Sequence, residues 1–282
     1  MFEKNWFRSL ELAKNESLKG KLPSYIPLLS QVDPQTIAIA IQHLQENKSE
    51  AAGDITNTFP LMSVIKPFLL LYLLENIGLD QVFQLVDRLP SQEAFNGIPE
   101  SKPRNPMLNS GAIAISSLLP SSETLRNWLN VRANANLELD QLMLNSVRSV
   151  ANRRNLAIAA RLQELGLIAN PEQALAIYEE ICCLRGNVQD LAKIGVLLVD
   201  TQRSPHIPIV LEIMTKCGMY EASEEFAQDI GLPSKSSVSG AILSIVPDLA
   251  VIASYSPTLD AIGNSVAGIF MIRKIKNYMS SI

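Results

Sequence analysis

The pattern of hydrophobic and polar positions changes along the chain. Residues 35–44 (QTIAIAIQHL) alternate isoleucine with alanine, and this run of branched residues at every second position predicts a strand. Residues 60–78 form a long apolar segment, which predicts a helix that Gly78 ends. From residue 118 to residue 200 the apolar positions recur at helical spacing, and no convincing strand pattern interrupts them. The early part therefore predicts sheet, and the middle predicts helices.

Two strand-like runs return near the C-terminus. Residues 238–246 and 249–255 are rich in branched apolar residues and meet at Pro247-Asp248, which predicts a hairpin whose proline favours a loose turn. A sheet built from early and late segments then flanks a helical middle, which is an α/β or α+β architecture. No linker or repeat divides the chain. We predict one domain over residues 1–282 with a helical subdomain at about 118–200.

Composition and charge narrow the classes of function. Apolar residues make up 47% of the 282 residues, which is a globular composition. The net charge is −4, and such a small acidic excess attracts neither nucleic acid nor an anionic membrane surface. No apolar run reaches the ~20 residues of a membrane span, and no targeting segment is visible. We expect a soluble cytoplasmic protein that binds neither nucleic acid nor membrane.

Cysteine and histidine are scarce, which limits the chemistry further. Of three cysteines, Cys182 and Cys183 are adjacent, which fits a reducing compartment better than a disulfide framework. The two histidines, His43 and His206, lie at no ligand spacing from cysteines or carboxylates, so we predict no metal. Glycine-rich nucleotide motifs and a G-x-S-x-G elbow are absent. A serine activated by a lysine is the remaining route to a nucleophile.

The segment from Ser63 to Lys66 offers that route. Positions i and i+3 share one helix face, so the amine reaches the hydroxyl, and apolar neighbours predict a lowered lysine pKa. The spacing by itself also fits a serine near a helix start whose lysine extends to solvent. Before the late strands, Lys235-Ser236-Ser237 is similar to the K-[ST]-G tripeptide that faces an S-x-x-K helix in penicillin-recognising folds, with serine in place of glycine.

Five segments in order resemble the serine-dependent glutaminases, which hydrolyse L-glutamine to L-glutamate and ammonia. The resemblance runs from Gly20 to Gly268. The matching segments are 20–29 (GKLPSYIPLL), 53–54 with 59–66 (FPLMSVIK), 102–113 (KPRNPMLNSGAI), 218–220 with 231–236 (GLPSKS), and 256–260 with 263–266 (GNSV). The resemblance implies a β-lactamase/transpeptidase-like fold, in which a central antiparallel sheet packs against a helical part.

The resemblance also implies catalytic roles. Ser63 is expected to be the acylated nucleophile and Lys66 its base. Tyr220 is expected to relay a proton, and Tyr25 to lie beside the site. The backbone N–H groups of Ser63 and Val238 are expected to form the oxyanion hole, which is usually the largest electrostatic contribution in acyl transfer.

The remaining implications concern substrate, cofactors and assembly. Asn109, Asn155 and Tyr178 are expected to hold the amide and the amino-acid head of L-glutamine, together with Ser63 and Tyr220. The resemblance implies no cofactor and no metal, and it suggests a homodimer or homotetramer. Read without the family, Asn109 and Asn155 also fit helix capping and backbone pairing, and the two tyrosines also fit core rings.

The chain departs from the family pattern beside the expected site. Arg148 stands where the family carries a glutamate that contacts the α-ammonium of the substrate, and Glu138 and Asp140 are nearby carboxylates that could replace it. Three expected glycines near Val238 are instead Ser237, Ser239 and Ala241. Added Cβ atoms can misplace an oxyanion donor.

These departures keep two alternatives open beside a glutaminase. In the first alternative, the protein is a hydrolase of a different amide, whose anionic group pairs with Arg148. In the second, it is a non-catalytic relative that binds a ligand or a partner protein.

Overall fold

The computed structural model describes residues 2–44, 48–91, 94–150 and 153–279. Within these ranges the α-helices are α1 (Phe2–Ser17), α2 (Lys66–Asn76), α3 (Leu79–Leu85), α4 (Asn109–Ser116), α5 (Ser122–Ala133), α6 (Gln141–Ser149), α7 (Arg153–Glu164), α8 (Pro171–Cys182), α9 (Val188–Gly195), α10 (Ile207–Cys217), α11 (Ser223–Asp229) and α12 (Val266–Met279). The strands are β1 (Ala38–His43), β2 (Ser49–Gly53), β3 (Phe59–Pro60), β4 (Glu138–Leu139), β5 (Leu184–Gly186), β6 (Ser234–Ser236), β7 (Ala241–Val246) and β8 (Ala250–Tyr255). Short 3-10 helices lie at Leu29–Gln31, Met62–Ile65, Val196–Leu198 and Tyr220–Ala222.

The main sheet joins the two ends of the chain, as the hydrophobic pattern predicted. Its strand order is β2-β1-β8-β7-β6, and every neighbouring pair is antiparallel. The register places Ala40 of β1 between Ala51 of β2 and Ala253 of β8. The early strand therefore pairs directly with the last strand, and the segments from both ends form one surface.

The alternation of isoleucine and alanine in β1 serves the two faces of this sheet. Ile39 and Ile41 belong to a buried cluster with residues of α1 and α12. Ala38 and Ala40 point to the other face and join the larger core that includes α9. That face requires small residues, because a Cβ on Gly195 of α9 would lie 2.6 Å from a methyl carbon of Val251. Successive strand side chains point to opposite faces, so one sequence pattern supplies both packing surfaces.

Two strands, β4 and β5, lie inside the segment 118–200, where no convincing strand pattern was found, and they form a three-stranded sheet with β3. β4 and β5 pair antiparallel, and β3 extends the order to β3-β5-β4. The expectation of no strand between residues 118 and 200 was therefore wrong, since strands of two or three residues are too short to show an alternating pattern. This small sheet holds Phe59 and Pro60 just before the Ser63 segment. The division into one domain with a subdomain at about 118–200 stays a prediction.

One strand and one turn also differ from the sequence pattern. Residues 49–53, for which no strand was predicted, form β2, an edge strand whose positions alternate between exposed and half-buried. The turn between β7 and β8 is tight, because Asp248 adopts a positive φ of 59° and the Leu249 N–H donates to the Val246 carbonyl at 3.0 Å. An aspartate tolerates the left-handed region, so the proline does not loosen the turn.

Candidate active site

A cavity of about 390 Å³ lies where the main sheet meets the helical part. Six of the residues predicted from the sequence line it, and these are Tyr25, Ser63, Asn109, Asn155, Tyr178 and Val238. They come from separate elements, including α4, α7, α8 and the loop between β6 and β7. Residues far apart in the chain therefore meet at one concave surface, which is the usual form of a small-molecule site.

A strained turn presents Ser63 to this cavity. The preceding residue, Met62, has a positive φ of 47°, which side chains other than glycine rarely adopt. The turn is anchored from outside, because the Leu61 N–H donates to the Leu184 carbonyl of β5 at 2.7 Å. Such strain persists only where surrounding structure enforces it, and it clusters at functional sites. Ser63 itself is buried and lies in the 3-10 turn that leads into α2.

Lys66 opens α2 directly behind Ser63 and is fully buried. Its Nζ donates to the Met107 carbonyl and to Asn109 Oδ1, each at 2.8 Å. Burial lowers the pKa of Lys66 to about 8, because desolvation disfavours the ammonium. Pro67 follows within the first turn of α2, where a missing N–H costs no helical hydrogen bond. The lysine therefore reaches its neutral form far more easily than a lysine in water.

Asn109 connects Lys66 to two other predicted residues. Its Oδ1 accepts from Lys66 Nζ and also from the Tyr178 hydroxyl, at 2.9 Å. Its Nδ2 donates to Asn155 Oδ1 at 3.0 Å. The Oδ1 atom therefore accepts two hydrogen bonds and the Nδ2 atom donates one. Exchanging the two atoms would break all three hydrogen bonds, so the amide has a single favourable orientation. Burial raises the pKa of Tyr178 well above its ordinary value, so the phenol stays a donor.

Tyr220 and Lys235 pack against each other near Ser63, and neither of them lines the cavity. Tyr220 has a positive φ of 54°, and burial raises the pKa of its phenol, while a hydrogen bond with Ser63 lowers it by less. Lys235 is fully buried, with Nζ 4.4 Å from the Tyr220 ring centroid and donating to the carbonyls of Gly218 at 3.0 Å and Ser236 at 2.6 Å. Burial, and then the nearby Lys66, hold the pKa of Lys235 well below its usual range.

Val238 lines the cavity from the loop between β6 and β7, and its backbone N–H donates to no backbone group of the described chain. The hydroxyl of Ser237 donates to the Leu61 carbonyl at 2.9 Å and lies 2.8 Å from the Ser239 hydroxyl. One side chain thus ties the Val238 loop to the turn that carries Ser63. The serines that replace expected glycines therefore form contacts here, while Gly240 keeps the positive φ of 96° that the loop requires.

Tyr25 stands at the mouth of the cavity and is 51% exposed. It also lines an adjacent cavity of about 560 Å³, together with Phe95 and Val238. Tyr25 therefore lies beside the site and reaches solvent, unlike the buried Tyr178.

Arg148 does not line the cavity. Its Nε lies 3.0 Å from Glu179 Oε2 and its guanidinium 3.5 Å from Glu180 Oε1. The two carboxylates proposed as nearby replacements are engaged elsewhere. Glu138 pairs with Arg185 at the surface at 3.2 Å, and Asp140 caps α6 by accepting from the Met143 N–H. Neither contributes to the cavity wall, so the expectation that one of them compensates for Arg148 was wrong.

Sequence reasoning missed several wall residues, among them Phe95, Arg154, Glu179 and Cys182. Burial raises the pKa of the Cys182 thiol to about 11, so this cysteine stays neutral. Glu179 had one detectable signal, since it directly follows Tyr178 on α8. An arginine at position 148, where the family has a glutamate, also suggests a carboxylate partner. That partner is Glu179, which lies 31 residues further along the chain.

The described ranges contain no group of three or more histidine, cysteine, aspartate or glutamate residues arranged to hold a metal ion. No α-helix within those ranges is both long and apolar enough to cross a bilayer.

The chain matches the model of the Glutaminase family over residues 20–281. A glutaminase from Synechocystis is 39% identical, with 98% of this chain and 89% of that protein covered. Glutaminase 1 of Halalkalibacterium halodurans is 35% identical, with 93% of this chain and 92% of that protein covered. The chain belongs to the glutaminase family. The resemblance predicted from the five sequence segments is thereby confirmed.

A solved structure confirms the fold class. A probable glutaminase from Bacillus subtilis, complexed with 6-diazo-5-oxo-L-norleucine, superposes with a TM-score of 0.86 at 26% identity. The alignment covers 97% of this chain and 93% of that one. The antiparallel sheet packed against helices is therefore the β-lactamase-like fold of the glutaminases. The roles of the individual residues stay predictions.

Proposed function

We propose that this protein hydrolyses L-glutamine to L-glutamate and ammonia through an acyl-enzyme on Ser63. Family membership supports the reaction, and the surroundings of Lys66 support the mechanism. A neutral lysine amine has two N–H donors and one lone pair. Both donors have partners, in the Met107 carbonyl and Asn109 Oδ1, so the lone pair is left for the Ser63 hydroxyl. This arrangement is the observation that carries the proposal.

In the acylation step the Lys66 lone pair accepts the Ser63 proton while Oγ attacks the side-chain carbonyl carbon of glutamine. The developing negative oxygen lies between the N–H groups of Ser63 and Val238. The available N–H of Val238 supports this role, because it donates to no other backbone group of the described chain. The carbon–nitrogen bond then breaks, and a proton must reach the nitrogen so that it leaves as ammonia.

Tyr220 is placed to carry that proton. Its hydroxyl donates to the Ser236 carbonyl at 3.4 Å and lies close enough to Ser63 for that side chain to affect its pKa, and burial raises the pKa so that the phenol stays protonated between transfers. Lys235 lies against the Tyr220 ring, with Nζ 4.4 Å from the ring centroid. The proton that Lys66 accepted from Ser63 passes through Tyr220 to the leaving nitrogen, so Lys66 is neutral again. A water molecule then attacks the glutamyl ester on Ser63 while Lys66 takes its proton, and that proton returns to Ser63 Oγ as L-glutamate leaves. Tyr25 lines the cavity from its solvent-exposed side.

The remaining wall fits the amino-acid head of the substrate. Asn109, Asn155 and Tyr178 form one hydrogen-bonded cluster that offers amide and hydroxyl groups to the ligand. The compound in the Bacillus subtilis complex is itself an amino acid, and its 5-oxo group corresponds to the side-chain carbonyl of glutamine. The cavity of about 390 Å³ is large enough for such a small zwitterion.

The proposed assembly follows from the family resemblance, and the proposed compartment follows from the cysteine usage of the chain. The protein is expected to form a homodimer or homotetramer and to work in the cytoplasm. Three free cysteines in the described chain support a reducing compartment. Light scattering after size-exclusion chromatography measures the oligomeric state, and a monomer at micromolar concentration contradicts this part.

Ammonia release from L-glutamine by the purified protein tests the function. The Ser63→Ala variant should lose at least about 1,000-fold in kcat, because the acyl-enzyme cannot form. Ser30→Ala is the matched control, since this hydroxyl only donates to the Pro27 carbonyl at the surface. Release that survives in Ser63→Ala contradicts the mechanism. The absence of release from folded wild-type protein contradicts the function and favours a non-catalytic relative.

A further inference from the structure

The wall of the cavity carries one pair of opposite charges in its described part. Glu179 is the carboxylate among the described wall residues, and Arg154 is the cation. The head group of an α-amino acid is likewise one ammonium and one carboxylate. Glu179 is 6% exposed, so its charge acts at low effective dielectric and its interactions with a ligand are strong.

Arg148 holds Glu179 in place without removing its charge from the site. The arginine is 41% exposed and shares its charge between Glu179 and Glu180, so the three groups together carry a net charge of −1. The contact reaches Glu179 through Oε2, at 3.0 Å. The position expected to hold a substrate-binding carboxylate therefore holds an arginine that positions a carboxylate from another helix.

We infer that Glu179 binds the α-ammonium of the substrate and that Arg148 is its positioning residue. The inference rests on the proposed function, and it names the group that makes the enzyme select an α-amino acid over other primary amides. Glu179 follows Tyr178 on α8, so the carboxylate and the Tyr178–Asn109 cluster belong to one rigid element. The carboxylate that binds the ammonium thus comes from α8 instead of α6, and Arg148 on α6 holds it through an ion pair.

The test compares L-glutamine with its des-amino analogue, 5-amino-5-oxopentanoate, in wild-type and Glu179→Gln protein. Wild type should prefer glutamine strongly in kcat/KM. Glu179→Gln should raise KM for glutamine about 10- to 100-fold, which is the range of a charge-assisted hydrogen bond, with little change in kcat. The des-amino analogue should be affected far less, so that the preference collapses. A merely structural defect lowers the rates with both substrates equally.

Glu180→Gln is the matched control. Glu180 also pairs with Arg148, at 3.5 Å, and accepts from the Ser122 hydroxyl at 2.6 Å, but it does not line the cavity. KM for glutamine in this variant should stay within about twofold of wild type, which is the size of a partly exposed ion pair. An equal rise in KM for Glu179→Gln and Glu180→Gln overturns the inference.

The outcomes separate this inference from the proposed function. If wild-type protein hydrolyses glutamine and Glu179→Gln has the same KM, the inferred role of Glu179 is wrong, while the proposed function is still supported. If wild type releases no ammonia, the proposed function fails, and calorimetric titration of Ser63→Ala with both compounds decides the inference. Tighter binding of glutamine than of the des-amino analogue, lost on adding Glu179→Gln, supports it. Equal binding, or no binding, overturns it.

Discussion

Two walls of the cavity differ in how they treat charge. The wall around Ser63 buries Lys66 completely and surrounds it with neutral oxygens, so its pKa falls to about 8. The wall formed by α6 and α8 pairs Arg148 with Glu179 and keeps charge at the surface of the cavity. Burial favours the neutral form of the lysine in the first wall, whereas the second wall holds an ion pair of opposite charges.

The difference follows from what each wall does. A general base needs a lone pair, so burial without a carboxylate partner suits Lys66. Recognition of an ammonium needs a carboxylate, and a buried carboxylate without a partner would itself be disfavoured. Arg148 is the partner of the Glu179 carboxylate and contacts it from the solvent side. Variants that change the charge of either wall should therefore fail differently, the first in kcat and the second in KM.

The largest effect is expected from Lys66→Met, which fills similar space but cannot accept a proton. We expect kcat to fall at least about 100-fold, the usual contribution of a general base, while glutamine still binds. Steady-state kinetics measure the first, and calorimetry with the variant measures the second. A thermal melt checks that the fold survives. Retention of more than a tenth of wild-type kcat would exclude Lys66 as the base.

The pH profile sharpens the same contrast. Lys66 works as a base only when neutral, so kcat/KM should rise about tenfold per pH unit below pH ~8 and level off above it. The sign follows from the lowered pKa, because raising the pH increases the neutral fraction. Initial rates from about pH 6 to about pH 9 give the profile, with melts at each pH as the control. A flat profile across this range speaks against a lysine base.

A smaller effect is expected from Ser237→Ala, which cuts the link between the Val238 loop and the Leu61 carbonyl. Loss of one buried hydrogen bond of about 1 kcal/mol predicts a fall of roughly fivefold in kcat, with KM nearly unchanged. Ser30→Ala again serves as the surface control. An increase in kcat instead would mean that the family-type glycine suits the oxyanion donor better than this serine.

The smallest effect is expected from Arg148→Gln, which leaves Glu179 charged but less well held. Because Arg148 is partly exposed, we expect KM for glutamine to rise only about two- to fivefold. The kinetic constants for the des-amino analogue should not change. Should kcat fall while KM stays constant, Arg148 would belong with the first wall and the comparison would be wrong.

The sequence already predicted much of the fold and the family of the protein. The alternation in residues 37–41 predicted β1, and the segments around Ser63 and Asn109 identified the family. The short strands β4 and β5 escaped notice because two or three residues carry no readable period. Glu179 escaped because a residue in the middle of a helix shows its orientation only once the helix is packed.

Local patterns and spacings were therefore enough to predict β1, β7 and β8 of the main sheet, to identify the family and to propose the Ser63–Lys66 pair. Only the tertiary structure decided which carboxylate meets Arg148 and what Ser237 contacts, since those partners lie 31 and 176 residues away. It also decided the pKa of Lys66, because desolvation depends on everything packed around the amine. The spacing of residues along one helix can be read from the sequence, whereas burial and contacts between elements exist only in the folded chain.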